Sequence, residues 1–469
     1  MKTPIVPAKT TTVPAGLSWL GIFRLALVQA SLGAVVVLVT STLNRVMVVE
    51  YRLPAMLPGV LVALHYAVQM VRPRFGHGSD RGGRRTSWIL GGMAALGVGG
   101  ILCALATVSI AAHPLPALVL AVLAYGLVGM GVGAAGTSLL VLMAKQVEDR
   151  RRAAAATIMW VLMIAGFAVT STIVGRYLDP FSPTRLILIM TIAALIAFTV
   201  ALLAVWGVER RVPREAALAA GGAGDCAAAP DFRTALRRVW AEPEARAFTV
   251  FVFISMLAYS AQELLLEPFA GLVFGFSVGA SAKLSGLQHS GVFMGMILVG
   301  FACSGRRRGA RRGDARRGDA RRFGSLRGWT IGGCVASALA LCGLVAANWV
   351  GPLWPVRETV FALGLSNGVF AVAAIGSMME LAHEGEAGSA GVRMGLWGAA
   401  QAVAFSLGGL MSTTLVDSVR FFSGSPTAAF GLVFCAEAVL FLVAARFAAR
   451  VRRHDLPRTA VIGSHAVSA

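Results

Sequence analysis

The sequence predicts an all-α integral membrane protein of twelve transmembrane helices in two six-helix halves. Three observations carry this. Apolar types make up 57% of the 469 residues and charged types only 14%, against roughly 45–50% and roughly 25% in a soluble globule, and mean hydropathy is +0.74. Apolar runs recur along the chain, most of them near the ~20 residues that a helix needs to cross the hydrocarbon core. Basic residues crowd into alternate loops, as they do in chains whose loops face two different compartments.

The runs place spans at 18–42, 56–71, 87–111, 116–143, 154–175, 185–206, 247–271, 284–303, 328–347, 354–381, 394–416 and 428–449. The first is too long for a cleaved signal peptide, and further spans follow it. Arg24 lies inside it. On one side of the membrane the loops and span edges carry only Arg45, Arg52, Arg176, Arg185, Lys283, Arg357 and Arg420. Arg24 apart, the remaining basic residues fall on the side of the two termini, which predicts that both termini are cytoplasmic and that the protein sits in a bacterial inner membrane. The organisation that follows is a tail at 1–17, a half at 18–206, a cytoplasmic linker at 207–246, a half at 247–449 and a tail at 450–469. The linker is rich in Ala and Gly and ends in an Arg-rich stretch.

The formal net charge of +20 on a soluble chain would suggest nucleic acid. Here the charges sit between apolar runs. The loop at 304–327 contains the repeat ARRGD, ARRGD, ARR without interleaved aromatics. It reads as an anchor to anionic lipid headgroups, with no nucleic-acid partner. The six cysteines form no CxxC or zinc spacing, and Cys226 alone falls in a polar loop. No HExxH, GxSxG, Walker or dinucleotide-binding constellation stands in a workable setting. The expectation is a protein that is not an enzyme and requires no cofactor or directly bound metal.

After the second span comes Gly76-His-Gly-Ser-Asp80-Arg81-Gly-Gly83-Arg84-Arg85. Glycine permits a tight turn, Asp80 suits a helix N-terminus, and the arginines suit carboxylates and carbonyls. The pattern G-x-x-x-D-R-x-G-R-R resembles the signature loop of the major facilitator superfamily. There it latches the two halves in one access state, so the resemblance assigns a cytoplasmic latch to Gly76, Asp80, Arg81, Gly83, Arg84 and Arg85. A decayed copy follows the eighth span, where Ser304 stands for Asp80 and Arg308 for Arg84. His65 precedes Gly76 by the same interval that separates His289 from Gly300, as parallel repeats would have it.

Ionisable and amide side chains inside apolar spans are functional candidates, because each is costly unless partnered. They are Arg24, Gln29, His65, Gln69, Gln262, Glu263, Glu267, Gln288, His289, Asn367, Glu380, Gln401 and Glu437. Asn44, Arg45 and Glu50 are expected just beyond the first span. Arg45 and Glu267 form either an ion pair across the halves or two separately hydrated groups. His65 and His289 are either packing histidines or imidazole ligands. Proton-coupled carriage of a small hydrophobic solute stands as one functional reading. Against it, span 5 lacks a Gly-Pro step and span 4 an Arg-x-x-Gln-Gly element.

Seven further segments narrow the resemblance. They are Leu43-Asn-Arg-Val-Met-Val-Val-Glu50, Ala63-Leu-His-Tyr-Ala-Val-Gln69, Arg72-Pro-Arg-Phe-Gly-His-Gly-Ser-Asp80, Gln262-Glu-Leu-Leu-Leu-Glu-Pro-Phe269, Leu284-Ser-Gly-Leu-Gln-His-Ser-Gly291, the run from Gly364 to Met379, and Trp397-Gly-Ala-Ala-Gln401. From about Leu17 to Val451 the chain resembles the PucC family, the bacteriochlorophyll delivery branch of the facilitator superfamily. Its short loop before Arg84 is more similar to the branch found among pigment-synthesis genes than to the light-harvesting-specific members. The resemblance implies an assembly factor or carrier that binds or delivers bacteriochlorophyll for light-harvesting complexes, with chlorophyll synthase and light-harvesting apoproteins as partners beside membrane lipid. It also implies a cleft between the halves, lined by His65, Gln69, Gln262, Glu267, Gln288, His289, Asn367 and Gln401, in which His65 and His289 become axial ligands of pigment magnesium.

Overall fold

The computed structural model describes residues 17–71, 85–208, 237, 240–309, 325–384 and 390–450. Twelve principal helices run through them: α1 (Trp19–Glu50), α2 (Met56–Val68), α3 (Arg85–Ser109), α4 (Pro114–Gln146), α5 (Asp149–Tyr177), α6 (Pro183–Val205), α7 (Pro243–Phe274), α8 (Val278–Gly309), α9 (Leu326–Val350), α10 (Val356–Glu384), α11 (Ala390–Ser423) and α12 (Pro426–Arg450). Eleven of these are long and apolar enough to cross a membrane. The described part of α2 has 13 residues and is apolar.

Local chemistry sets the helix ends. Ser18, Ser182 and Ser325 accept from the amides of Gly21, Arg185 and Gly328 at the starts of α1, α6 and α9, satisfying N–H groups that have no helical partner. Pro183 and Pro243 open α6 and α7, where a missing N–H costs nothing. Gly275, at φ 69°, closes α7 in the left-handed conformation that glycine tolerates. At the other end of a helix, Arg24 donates to the carbonyls of Leu203 (3.0 Å) and Trp206 (2.5 Å) at the close of α6. That intramembrane arginine is therefore a C-terminal cap in the dipole's favoured direction.

Among the described residues two large cores form, one centred in each half and each taking in a few residues of the other. Ile22, Leu96, Tyr125, Met159 and Met190 belong to the first. Phe251, Phe269, Leu341, Phe370, Phe434 and Phe441 belong to the second. In the N-terminal half α1 packs on α5 and α6, α3 on α4 and α6, and α2 on α4. In the C-terminal half α7 packs on α11 and α12, α9 on α10 and α12, and α8 on α10. Each pair in one half has its counterpart in the other, which is the pseudo-twofold repeat. Across the halves α5 packs on α8 and α2 on α11, and these two crossings exchange under the same repeat. Exposed Trp19, Trp206 and Trp240 mark the end at which α1 begins and α12 closes, and exposed Tyr177, Trp349, Phe421 and Phe422 mark the distal end, consistent with aromatic girdles at two lipid headgroup layers.

The structure corrects the expected end of the first span. Asn44, Arg45 and Glu50 lie within α1, which continues past residue 42 through two π-helical stretches, Leu38–Thr42 and Val46–Glu50. Asn44 and Arg45 are buried. A polar pair normally ends an apolar span. Here the opposite half supplies a carbonyl to each, and Glu50 of the same helix pairs with Arg45, so the helix carries on. π-Turns in otherwise regular helices are frequent at functional sites. Of the expected linker at 207–246, residues 209–236, 238 and 239 lie outside those described, and α7 opens at Pro243.

Candidate functional site: the seam between the halves

The π-helical turns of α1 face α7. Ser41 Oγ donates to Glu267 Oε1 at 2.7 Å. Asn44 Nδ2 donates to the Leu264 carbonyl, and Arg45 donates to the Phe276 carbonyl at 2.7 Å. All three bonds join one half to the other. Pro268 lies inside α7. Proline has no N–H, so the carbonyl four residues earlier loses its helical donor. That carbonyl belongs to Leu264, and Asn44 takes the place of the missing amide. Glu267 and Pro268 thus make adjacent polar gaps in α7, and α1 fills both.

Glu267 is completely buried and Glu263 is 8% exposed. Their i, i+4 spacing puts both carboxyls on one helix face. A carboxylate in such a place is costly unless hydrogen bonds or a cation support it. Of the two alternatives left open for Arg45 and Glu267, a direct ion pair is not the contact made. Arg45 pairs with Glu50 on its own helix, because the π-helical stretch brings that carboxylate around to the guanidinium. Glu267 takes the Ser41 hydroxyl instead. Just past α1, burial and the adjacent Glu50 carboxylate push the Tyr51 phenol above its ordinary pKa, so it stays neutral.

The remaining candidates fall in three places. Gln262 Oε1 accepts from Asn367 Nδ2 at 2.8 Å, and Asn367 Oδ1 accepts from Ser337 Oγ at 2.8 Å. This chain ties α7, α10 and α9 together inside the C-terminal half. Gln288 and His289 are buried on α8. His289 donates from Nδ1 to the Ser285 carbonyl at 2.8 Å, and its ring meets the edge of Phe167 on α5 with centroids 5.0 Å apart. An Nδ1–H held by a carbonyl is the arrangement that orients Nε2 toward a metal. His65 is different, although it is repeat-equivalent. Its Nε2 lies 2.9 Å from Gln69 Nε2 and serves as acceptor for that amide. Gln401 is half-buried on α11, with Nε2 3.8 Å from Met256 Sδ. Of the latch residues, Gly76, Asp80, Arg81, Gly83 and Arg84 lie outside the described residues, and Arg85 opens α3. Ser41, Ser337, Phe167 and Pro268 were not among the expected site residues. Pro268 in an apolar run was the one legible signal, since it announces an orphaned carbonyl one turn earlier. Among the described residues no group of three His, Cys, Asp or Glu could hold a metal.

The sequence profile of the PUCC protein family matches residues 42–456. The chain is 53% identical over 439 residues to the bacteriochlorophyll synthase 44.5 kDa chain of Rhodobacter capsulatus, covering 93% of this chain and 96% of that one. It is 27% identical over 445 residues to Protein PucC of the same organism, covering 91% of each. Among solved structures it is similar to an inward-facing bacterial homologue of the human lysosomal transporter Spinster, with a TM-score of 0.65, 16% identity and coverage of 92% and 96%. A peptide transporter POT in complex with sulfate gives a TM-score of 0.62 at 15% identity, with coverage of 92% and 94%. These likenesses are of fold.

Proposed function

Because the chain belongs to the PUCC protein family and has the facilitator fold, we propose that it is a membrane carrier. Its halves rock about the α1–α7 seam around a hydrophobic cargo of bacteriochlorophyll chemistry. The observation that carries this reading is the Ser41–Glu267 bond: a buried carboxyl at the meeting point of two helical bundles, accepting from a hydroxyl of the opposite half. Such a bond is cheap to exchange for a cargo or a proton. The Glu263–Glu267 face supports proton coupling, since either carboxyl gains or loses a charge in a place where charge is expensive. The cargo class rests on the 53% identity to a chain named for bacteriochlorophyll synthase. Within the family the chain stands nearer to that relative than to the PucC proteins. Delivery of pigment between chlorophyll synthase and light-harvesting apoproteins is the step such a carrier would serve, from a bacterial inner membrane with both termini cytoplasmic. The halves are 18–206 and 247–449, joined by the linker.

Purification of the full chain from a phototrophic host, followed by its absorption spectrum, tests the reading. A pigment band that co-purifies with the wild type and is depleted in Glu267→Leu supports it. A colourless wild type that also fails to take up bacteriochlorophyll in titration overturns it. The unequal histidines give a finer expectation. His289→Ala lowers affinity for bacteriochlorophyll about tenfold, as expected for losing a metal contact, and leaves affinity for the magnesium-free pigment unchanged. His65→Ala changes neither by more than about twofold, because that ring's Nε2 is engaged by Gln69. Equal losses for both pigments in His289→Ala would remove axial ligation from the account.

A further inference from the structure

At the distal end, two aspartates reach across between the halves to the N-termini of two helices. Asp179, just past α5, accepts from Gly279 N at 2.9 Å and from Ser277 Oγ at 2.6 Å at the start of α8. Asp417, on α11, accepts from Ala55 N at 3.0 Å and from Met56 N at 2.6 Å at the start of α2. The sequence offset that superposes His65 on His289 also superposes Ala55 on Gly279, so the two amides are repeat-equivalent. The offset from Asp179 to Asp417 likewise relates Gly175 to Thr413. Beneath each aspartate the helices touch at these partners. A Cβ on Gly279 would lie 2.4 Å from the Gly175 carbonyl, and one on Gly59 would lie 2.1 Å from Thr413 Oγ1.

The start of α2 has no side-chain cap of its own. Its free amides are satisfied from the other half. A carboxylate at a helix N-terminus gains from both the hydrogen bonds and the helix dipole, and separating the halves at this end forfeits both at two places together. We propose that Asp179 and Asp417 form a duplicated lock that holds the distal end shut, and that release of both is the step that opens the protein on that side. The lock rests on the two-half carrier reading and not on the identity of the cargo.

Hydrogen exchange read by mass spectrometry on the full chain in nanodiscs tests it, in segments 53–58 and 276–281. A lock couples the two sites: breaking either one raises the population of the open state, in which both sets of amides are exposed. Asp417→Ala is therefore expected to speed exchange about tenfold in both segments, and Asp179→Ala to do the same, on the scale of a charge-assisted hydrogen bond. Acceleration confined to each variant's own segment identifies two independent local caps and overturns the lock, while the pigment measurements above still stand or fall by themselves. Asp179→Asn and Asp417→Asn keep the side-chain shape and carry the test if an alanine variant fails to insert. They are expected to show the same coupled pattern at smaller amplitude, and uncoupled exchange in them contradicts the proposal equally.

Discussion

Gly364→Leu is expected to destabilise the protein by about 3 kcal/mol or more, the upper range for overpacking a tight contact, and to lower its melting temperature in detergent accordingly. The reason is the approach of α8 and α10. A Cβ on Gly364 would lie 2.0 Å from the Gln288 carbonyl, and one on Gly368 would lie 2.0 Å from the Val292 carbonyl. The contact is reciprocal, for a Cβ on Gly291 or Gly295 of α8 would lie 2.4 or 2.2 Å from the Phe361 or Leu365 carbonyl. Four glycines let two backbones touch, as small residues do between membrane helices. No side-chain rotation relieves a collision with backbone. Asn367 sits within this contact, so forcing the helices apart also displaces its bonds to Gln262 and Ser337. Gly332→Leu is the control. Nothing lies within 4 Å of the Cβ built there, and the change is expected to stay within about 0.5 kcal/mol. Equal melting temperatures for the two variants would contradict the close α8–α10 packing.

The second large effect concerns Asn44 and Pro268. Asn44→Leu leaves the buried Leu264 carbonyl with neither helical nor side-chain donor, a loss of about 1–3 kcal/mol. Pro268→Ala returns an N–H to that carbonyl. The double variant is therefore expected to be more stable than the sum of the two single changes predicts, with a coupling of at least about 1 kcal/mol in a double-mutant cycle measured by denaturation. Strict additivity would mean that Asn44 does not replace the proline's missing donor.

Much of the architecture was legible because lipid imposes a simple code: apolar length, basic-loop alternation and repeated spacing of His65 and His289. The structure locates most of the spans and the repeat where that code puts them. The continuation of α1 to Glu50 was not legible. Asn44 and Arg45 look like the end of a span, and the carbonyls of Leu264 and Phe276 in the opposite half, together with Glu50 on the same helix, make them tolerable inside. The same limit applies to pairing. Polarity shows that Arg45, Glu267, Gln262 and Asn367 each need a partner, but tertiary packing chooses which. Arg45 took Glu50, Glu267 took Ser41, and Gln262 and Asn367 took each other. Asp179 and Asp417 fall at the ends of spans, where a carboxylate attracts no notice until the two helix N-termini are placed beside them.

The most direct test of the carrier account is the distance between the halves at the distal end. Thr184 and Ser423 are exposed there, one in each half. Spin labels at these positions, carried by a noncanonical amino acid so that the native cysteines remain, report that distance by pulsed electron paramagnetic resonance. The account predicts two distance populations whose ratio shifts when bacteriochlorophyll is added and shifts again in Glu267→Gln. A single narrow distribution, unmoved by pigment and by the substitution, would contradict it.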